Sequence, residues 1–403
     1  MIESKNLLFN KDDCIINDYV YNDVEFMHDH YLDEQNGLYN KINKCSTKVG
    51  SILLKKILTK PINNLDILKK RQIYVKKILP ISDILKKYLN EIKHIENDLI
   101  WFWDDKSLNH IDNMNDMIYF NWTFIPGVDL NSKLNENEYA LLASNIYKII
   151  LSPLLTAITP IITLITPLIL MLWFNKKLKG AMPIKTILWN YFKTLCSDDT
   201  MKVFITNPTK AQLASLLTKG LYLFMYFQNI YYSYQSSSNT NKLINVIHDK
   251  LNKMTKYIDC SIEIENMCKK NDLLDLTEYL GYNDITNDNK FYKENYFSYP
   301  VFNQDPGLFT NKGKILKIFK KFRFYKNKIL DVFQFNGVID VLLSISELIN
   351  NSNDDYPYSF SIYKKRSTPS LKINNIWHPL LHHRPLLHHR PLHPHHHYLL
   401  QQH

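Results

Sequence analysis

Glycine is scarce in this chain, with 9 residues among 403. Glycine adopts a positive φ more readily than any other residue, so domains rich in tight turns and phosphate-binding loops need more of it. Leucine, isoleucine and lysine are plentiful instead. The composition therefore predicts long helices and a mainly α fold.

Cysteine is also sparse, and its spacing excludes two common frameworks. The five cysteines are odd in number, scattered, and never spaced as CxxC. That pattern is typical of reduced thiols inside the cell and not of a disulfide framework or a zinc site. The N-terminal stretch "MIESKNLLFNKDDC" is acidic and lacks an apolar run, so no cleavable signal peptide is expected. Both features predict an intracellular protein.

Positive charge is in excess, but it selects no partner by itself. Lys+Arg number 49 against 39 Asp+Glu, which gives a net charge of +10 and a pI near 9.0. This balance is compatible with a nucleic acid or with an anionic membrane surface. A genome rich in A and T would supply the same lysine, together with the asparagine, isoleucine and tyrosine seen here.

Amphipathic helices are predicted from residue 36 to about 105. In "VGSILLKKILTK" the residues expected on one face are Val49, Ile52, Leu53, Ile57 and Leu58. Pro61 ends that helix, because proline disfavours helical geometry in the residue before it. Asn63 or Asn64 can cap the next helix, which Leu65, Leu68, Ile73 and Val75 partly line on one side. A third amphipathic run follows in "LNEIKHIENDLIWFW".

One stretch has a different character. Residues 149–174, "IILSPLLTAITPIITLITPLILMLWF", contain no charge, and lysines flank both ends. A helix that spans a bilayer needs roughly 20 apolar residues, so this one is long enough. The predicted membrane segment begins at Ile149 and ends with Trp173 and Phe174. Its prolines, Pro153, Pro160 and Pro167, recur every seven residues and would share one stripe of a helix.

The segments after this run give weaker signals. "LASLLTKGLYLFMYFQNIYYSY" is interrupted by Lys219 and Gly220, and its aromatics suit a membrane interface or a soluble core. Residues 233–241, "SYQSSSNTN", are predicted to form a loop, and helical patterns resume after them. The stretch 313–351 is predicted to form two helices. "SYPVF" and "PYSFSIYKKRSTPSLKIN" are predicted to be strand-like or extended.

Three separated stretches resemble the MutS family of mismatch-repair ATPases. The first, "INKCSTKVGSILLKKILTKPINNLDILKKRQIYVKKIL", carries Thr47, Gly50, Pro61 and Arg71 at positions that match the family's core. "GVIDVLLSISELI" resembles the returning lever helix, with Asp340 and Ser344 in matching places. "PSLKINNIWHPLL" resembles the first strand of the family's ATPase domain and its turn, here His378 and Pro379. Together the matches cover roughly residues 35–110 and 310–381.

The resemblance implies a core of helices with two levers, joined in the complete protein to an α/β ATPase that binds ATP and Mg and works as a homodimer. This chain departs from that pattern. No GxxxxGK[ST] phosphate loop occurs in it, so we expect no catalytic residue, no cofactor and no metal site here. The first 35 residues are too short for the family's mismatch-reading domain. The apolar run stands where the family has a DNA clamp. The closest analogy is a divergent, membrane-associated branch.

The chain's last residues change in composition. From about residue 381 they are mostly His, Pro, Leu and Arg, and we interpret this as a broken reading frame at the start of the ATPase domain. A metal role for these histidines is not favoured, because the tract lacks acidic partners and fixed spacing. The predicted divisions are 1–35, a short leading segment; 36–130, the first core and lever half; 131–240, a hydrophobic insertion; 241–366, the returning levers; 367–381, the ATPase start; and 382–403, the tail.

Three functional hypotheses remain open. The first is a MutS-like protein related to mismatch repair or recombination, attached to a membrane, with DNA contacts from Lys55, Lys56, Lys69, Lys70 and Arg71. The second is a membrane-anchored helical scaffold with no DNA role. The third is a non-functional fragment.

The apolar run also leaves its membrane topology open. It can form a re-entrant hairpin bent at Pro160, cross the bilayer as one of two spans, or lie buried in a soluble core. Two crossings would place the lysine-rich loop after residue 174 on the far side, against the usual cytoplasmic preference of lysine.

Overall fold

A computed structural model describes residues 25–27, 37–59, 64–104, 109, 111–121, 130–177, 182–196, 210–273, 285–297, 302, 306–307, 309–351, 358–365 and 372. Within these ranges the chain is mainly helical and contains no strand, which confirms the predicted mainly α fold. The described part of the expected C-terminal extended segment, residues 358–365, forms no strand. Pro61, His378 and Pro379 lie outside the described residues.

The described α-helices occur in this order along the chain: α1 (Leu38–Ile42), α2 (Lys48–Thr59), α3 (Leu65–Ile78), α4 (Ser82–Leu99), α5 (Asn115–Ile118), α6 (Leu130–Glu136), α7 (Glu138–Ile146), α8 (Ser152–Lys177), α9 (Ile184–Cys196), α10 (Lys210–Lys270), α11 (Ile285–Tyr292), α12 (Lys312–Tyr325) and α13 (Ile329–Asn350). A π-helical turn at Tyr147–Leu151 joins α7 to α8 without a break.

The chain divides into two compact units. The first contains residues 1–100, 253–298 and 325–403, and the second contains residues 101–252 and 299–324. The long helix α10 contributes to both, since its residues up to 252 belong to the second unit and the remainder to the first.

In the first unit the apolar helix α13 packs against α2, α3 and α4. Its side chains fill the core almost continuously, and Phe335 and Ile339 are fully buried. The rings of Tyr257 and Phe333 stack with their centroids 4.2 Å apart. Burial of this apolar surface is the main force that holds the unit together.

The local helix signals in this unit are partly as predicted. Asn64 caps α3, because its Oδ1 accepts hydrogen bonds from the backbone N–H groups of Asp66 and Ile67 at 3.0 and 3.2 Å. Two residues expected on a buried face, Ile52 and Ile73, are about half exposed.

The difference has a physical reason. The buried residues of α2 are Gly50, Leu53 and Leu54, and those of α3 are Tyr74, Val75 and Ile78. Each set follows a spacing of one helical turn, and it lies on the stripe that faces α13.

The second unit is built around aromatic residues and a close helix approach. The Phe102 ring meets the Phe322 ring edge-on at a centroid distance of 5.0 Å. The Tyr119 hydroxyl donates to the Leu316 carbonyl oxygen at 2.9 Å. Gly313 of α12 lies so close to α7 that a Cβ atom there would overlap the Glu138 carbonyl oxygen.

The loop predicted at residues 233–241 is wrong, since α10 runs through it without interruption. Serine and threonine favour loops because their side chains compete for backbone hydrogen bonds. Here those side chains bond in ways that preserve the helix. Thr240 Oγ1 donates to the Ser236 carbonyl oxygen within the helix, and Ser237 Oγ donates to a neighbouring helix.

Candidate functional site

The start of α2 is fixed by a carboxylate from the far end of the chain. Asp340 of α13 accepts hydrogen bonds from the Ser46 and Thr47 backbone N–H groups at 2.9 and 2.7 Å. The Thr47 hydroxyl also donates to Asp340, at 2.7 Å. The first N–H groups of a helix lack partners within the helix, so a carboxylate placed there satisfies them and complements the helix dipole.

Four residues named by the MutS resemblance come together at this point: Thr47, Gly50, Asp340 and Ser344. Ser344 Oγ, one turn after Asp340, accepts a hydrogen bond from the Lys44 backbone N–H at 2.9 Å. A Cβ atom at Gly50 would overlap Asp340 Oδ2, so only glycine leaves room for the carboxylate. The structure does not place Arg71 in this group. Arg71 lies on α3 and is half-buried.

A second carboxylate serves the same helix end. Glu96 of α4 accepts hydrogen bonds from the Lys48 and Val49 backbone N–H groups at 2.7 and 2.9 Å. Glu96 and Asp340 are both buried. The sequence analysis recognised this helix as an amphipathic run but did not identify the role of Glu96. The relevant signal is an acidic residue on an otherwise apolar, buried helix face.

Burial raises the pKa of both carboxyl groups. For Asp340, desolvation outweighs the hydrogen bonds from Ser46 and Thr47, which act in the opposite direction. Glu96 behaves in the same way, with the Lys48 and Val49 hydrogen bonds opposing desolvation. Every carboxyl oxygen of this pair accepts from α2 or its lead-in residues. The cluster therefore fixes the start of α2 to α13 and α4, and hydrogen bonds within the protein occupy each of its carboxyl oxygens.

The predicted DNA-contacting residues lie on α2 and α3. Lys69 and Lys70 are exposed, whereas Lys55 and Lys56 are half-buried. They lie on consecutive helices of the first unit.

The most unusual surface belongs to α8 and the first part of α10. The two helices run antiparallel, because Ile149 pairs with Ser237, Thr156 with Ser233 and Ala157 with Tyr226. We call residues 149–177 and 217–237 the apolar hairpin. Its exposed apolar side chains include Leu154, Ile161, Ile162, Ile165, Ile169, Leu170, Met171, Trp173, Phe174, Leu217, Leu221, Tyr222, Leu223, Phe224, Met225, Phe227, Tyr231, Tyr232 and Tyr234.

The exposure extends around the helices and is not confined to one face. The five consecutive residues 221–225 are each more than half exposed, and consecutive side chains point about 100° apart. In a soluble protein an apolar helix of this kind would be buried. The interpretation of residues 149–174 as a buried core helix does not fit this exposure.

Hydroxyl groups of the second hairpin helix donate to carbonyls of the first, and one of these carbonyls is freed by a proline. Pro153 has no N–H, so the carbonyl of Ile149, four residues earlier, lacks its helical partner. The Ser237 hydroxyl donates to that carbonyl. The Tyr226 hydroxyl donates to the Ala157 carbonyl at 2.6 Å, in the turn before Pro160. Sequence analysis missed both donors, because their target carbonyls lie on the partner helix.

Helix α8 continues without a break through Pro160 and Pro167. Of the three topologies left open by the sequence, the re-entrant hairpin bent at Pro160 does not fit this continuous helix. Threonine hydroxyls along the helix donate hydrogen bonds to backbone carbonyls of the same helix. Thr159 and Thr166 donate to the Leu155 and Ile162 carbonyls, four residues earlier, at 2.6 and 2.7 Å. Such bonds satisfy the hydroxyls without water, as apolar surroundings require.

Polar residues mark both ends of the hairpin. At the base, Lys148 Nζ donates to the Asp116 and Tyr119 carbonyl oxygens at 2.8 and 2.9 Å. At the other end, Lys177 Nζ lies 5.1 Å from the centre of the Trp173 ring. Tryptophan and lysine are common where membrane helices meet the headgroups.

The described residues contain no group of three or more His, Cys, Asp or Glu side chains that could hold a metal ion. Two described helical segments, Glu138–Thr163 and Ile329–Asn350, are long and apolar enough to cross a membrane. Only 6% of the apolar window is buried in the first, against 83% in the second. The second is thus accounted for as a core helix.

No family model, curated protein or solved structure matches this chain.

Proposed function

We propose that this chain is a membrane-anchored, MutS-like body of core and lever helices, and that the apolar hairpin embeds in the bilayer. The carrying observation is the exposure of apolar side chains around both hairpin helices. The unbroken stretch 151–174 is about 36 Å long as an α-helix, against roughly 30 Å for the hydrocarbon core of a bilayer. This length supports a full crossing by α8, with the antiparallel first part of α10 as the return crossing.

The relationship to MutS is supported by the cluster at the start of α2. Thr47, Gly50, Asp340 and Ser344 were singled out from stretches almost 300 residues apart in the chain, and they meet in one place. In a complete relative, an ATPase that binds ATP and Mg would drive the levers within a homodimer. On this proposal the hairpin replaces the family's DNA clamp and holds the lever body at a membrane surface inside the cell.

The membrane part of the proposal is tested by alkaline carbonate extraction of membranes that contain the full chain. We expect the intact protein to remain in the membrane pellet, because the uncharged and largely apolar stretch 149–174 resists transfer to water. Its release into the supernatant would contradict membrane embedding.

The topology is tested with N-glycosylation in microsomes. Asp198→Asn converts the triplet Asp198-Asp199-Thr200, beyond the first hairpin helix, into an acceptor. Two natural acceptor triplets outside the hairpin, beginning at Asn121 and Asn350, serve as internal controls. We expect modification at position 198 alone. Modification of the natural triplets instead would place the body on the lumenal side and contradict the MutS-like function.

A scaffold without a DNA role is the second candidate, and the charge distribution favours it. Residues 139–248 carry ten lysines and two aspartates, a net +8 of the chain's +10. Arg384 and Arg390 in the tail account for the other +2. The remaining residues, 1–138 and 249–381, have no net charge. The lever body thus lacks the excess of positive charge that non-specific DNA binding normally uses.

Binding of the detergent-solubilised chain to duplex DNA at two salt concentrations separates the candidates. A MutS-like DNA contact requires binding that weakens steeply with salt and is reduced by Lys69→Gln with Lys70→Gln. Binding that is absent at low salt would favour the scaffold.

A further inference from the structure

The chain's positive charge is concentrated beside the apolar hairpin. Between residues 175 and 211 there are seven lysines and two adjacent aspartates. The nearest acidic residues on either side are Glu138 and Asp249. The apolar core of a span needs no charge, so these lysines belong to the segment that follows it and require partners outside the hydrocarbon layer.

Two described stretches of this segment, residues 175–177 and 182–190, are joined by hydrogen bonds, and we call them the tip. The Asn175 side chain makes two hydrogen bonds to Met182. Its Nδ2 donates to the Met182 carbonyl oxygen at 2.8 Å, and its Oδ1 accepts from the Met182 N–H at 2.9 Å. The pair of bonds joins the end of α8 to the lead-in of α9. Lys176 and Lys177 on one side of the turn, and Lys185 on the other, are therefore held in one region.

The three lysines of the tip are exposed and lie among exposed apolar residues. Lys176, Lys177 and Lys185 are all exposed. Trp173, Met182, Ile184 and Trp189, on the same turn or next to it, are each more than half exposed. Cations beside tryptophan and aliphatic side chains match the two layers of a membrane interface, in which phosphate groups lie next to acyl chains.

We propose that the tip binds anionic phospholipid headgroups through Lys176, Lys177 and Lys185, while Trp173 and Trp189 enter the adjoining acyl layer. This inference rests on the membrane anchoring proposed above. An anionic lipid is favoured over a nucleic acid because the exposed apolar residues would remain in water against a nucleic acid.

The test uses the full chain synthesised in the presence of vesicles, followed by flotation. One set of vesicles contains phosphatidylcholine alone, and the other contains phosphatidylcholine with phosphatidylserine. The test variant is K176Q/K177Q/K185Q. The matched control is K87Q/K93Q/K328Q, which removes the same charge from exposed positions outside the hairpin. A third variant, K176R/K177R/K185R, keeps the charge.

We expect the wild-type chain to float with both kinds of vesicle, and to prefer the anionic ones by about tenfold or more at low salt. The glutamine variant of the tip should lose this preference and still float with phosphatidylcholine. The control and the arginine variant should keep it.

Two results would overturn the inference in distinguishable ways. If the tip variant retains the wild-type preference, the tip is not the anionic-lipid site, and membrane anchoring stands. If the wild-type chain floats with neither kind of vesicle, the anchoring proposal fails and the inference fails with it.

Discussion

Residues Glu138–Thr163, which run into α8, and the helix α13 are nearly equally apolar, but only α13 is buried within the protein. Both pass the same test of length and composition for a membrane span. Helix α13 is buried among α2, α3 and α4, whereas the hairpin helices expose apolar side chains on all sides. The comparison shows that apolar composition alone does not determine whether a helix is buried within the protein. Burial depends on whether other helices supply complementary faces.

The polar residues of the two helices differ in the same sense. Asp340 and Ser344 on α13 reach outward to backbone groups of another helix. Thr159 and Thr166 on α8 bond to their own helix. A core helix can carry a charge because neighbouring backbone groups supply donors to it, whereas Thr159 and Thr166 need no partner outside their own helix.

The largest effect is expected from a pair of matched substitutions, one in the core helix α13 and one in the hairpin helix α8. Ile339→Arg places an unpaired charge in the core, and we expect it to cost ~4 kcal/mol or more and abolish cooperative unfolding. Ile162→Arg on the exposed hairpin should leave the thermal midpoint in detergent nearly unchanged. It should instead reduce membrane insertion, since arginine at the centre of a spanning helix costs ~3 kcal/mol. Circular dichroism and carbonate extraction measure the two effects. Equal effects of both variants on the midpoint would contradict the distinction.

The next largest effect is expected at the cap of α2. Asp340→Ala leaves two buried N–H groups and one hydroxyl without their acceptor, which we expect to destabilise the chain by about 3–5 kcal/mol. Asp83→Ala is a suitable control, because Asp83 is exposed at the start of α4 and should change stability by no more than ~0.5 kcal/mol. Chemical denaturation of the detergent-solubilised protein measures both. Similar midpoints for the two variants would argue against a central role for the cap.

Two helical glycines, one in the packed first unit and one in the hairpin, are expected to respond differently to substitution by alanine. Gly50→Ala should destabilise by about 1–3 kcal/mol, because the added methyl group would overlap Asp340. A methyl group at Gly220, in the hairpin, meets no atom within 4 Å. Gly220→Ala should therefore be neutral or stabilise by up to ~1 kcal/mol through helix propensity. Thermal denaturation distinguishes them, and a loss of stability with Gly220→Ala would indicate that the hairpin surface is packed.

The smallest expected effect is a pH dependence of the first unit. Burial raises the pKa of Asp340 and Glu96 in the folded chain above their unfolded values. The folded state then binds protons more tightly, so this contribution to stability is full below the unfolded pKa and is lost as pH rises through the folded pKa. Stability should therefore decrease from about pH 4 towards neutrality. Asp340→Asn should weaken that dependence, and an unchanged slope in this variant would contradict the assignment.

Part of this fold could be predicted from sequence because the controlling interactions are local. The α3 cap by Asn64 and the apolar run of the hairpin depend on neighbouring residues. The exposed positions of Ile52 and Ile73 were not predictable from periodicity alone, because the exact buried stripe is set by the partner α13. The loop expected at 233–241 was wrong because Ser237 has its acceptor on another helix.

The candidate site shows a similar division. A family resemblance selected Asp340 and Thr47, but hydrogen bonding between residues 293 positions apart is invisible to local patterns. The role of Glu96 was missed for the same reason. The concentration of lysine beside the hairpin, by contrast, can be read directly from the sequence once the chain is divided at residues 139 and 248.

The long separation between Thr47 and Asp340 has a consequence for biosynthesis. A ribosome that has completed the first hairpin helix at Lys177 must add 163 more residues before Asp340 is made. At roughly 5–20 residues per second this takes on the order of 10–30 s. The hairpin can therefore enter a membrane while the start of α2 still awaits its cap. On the proposed membrane anchoring, the nascent chain is anchored first, and the first unit closes around Asp340 afterwards.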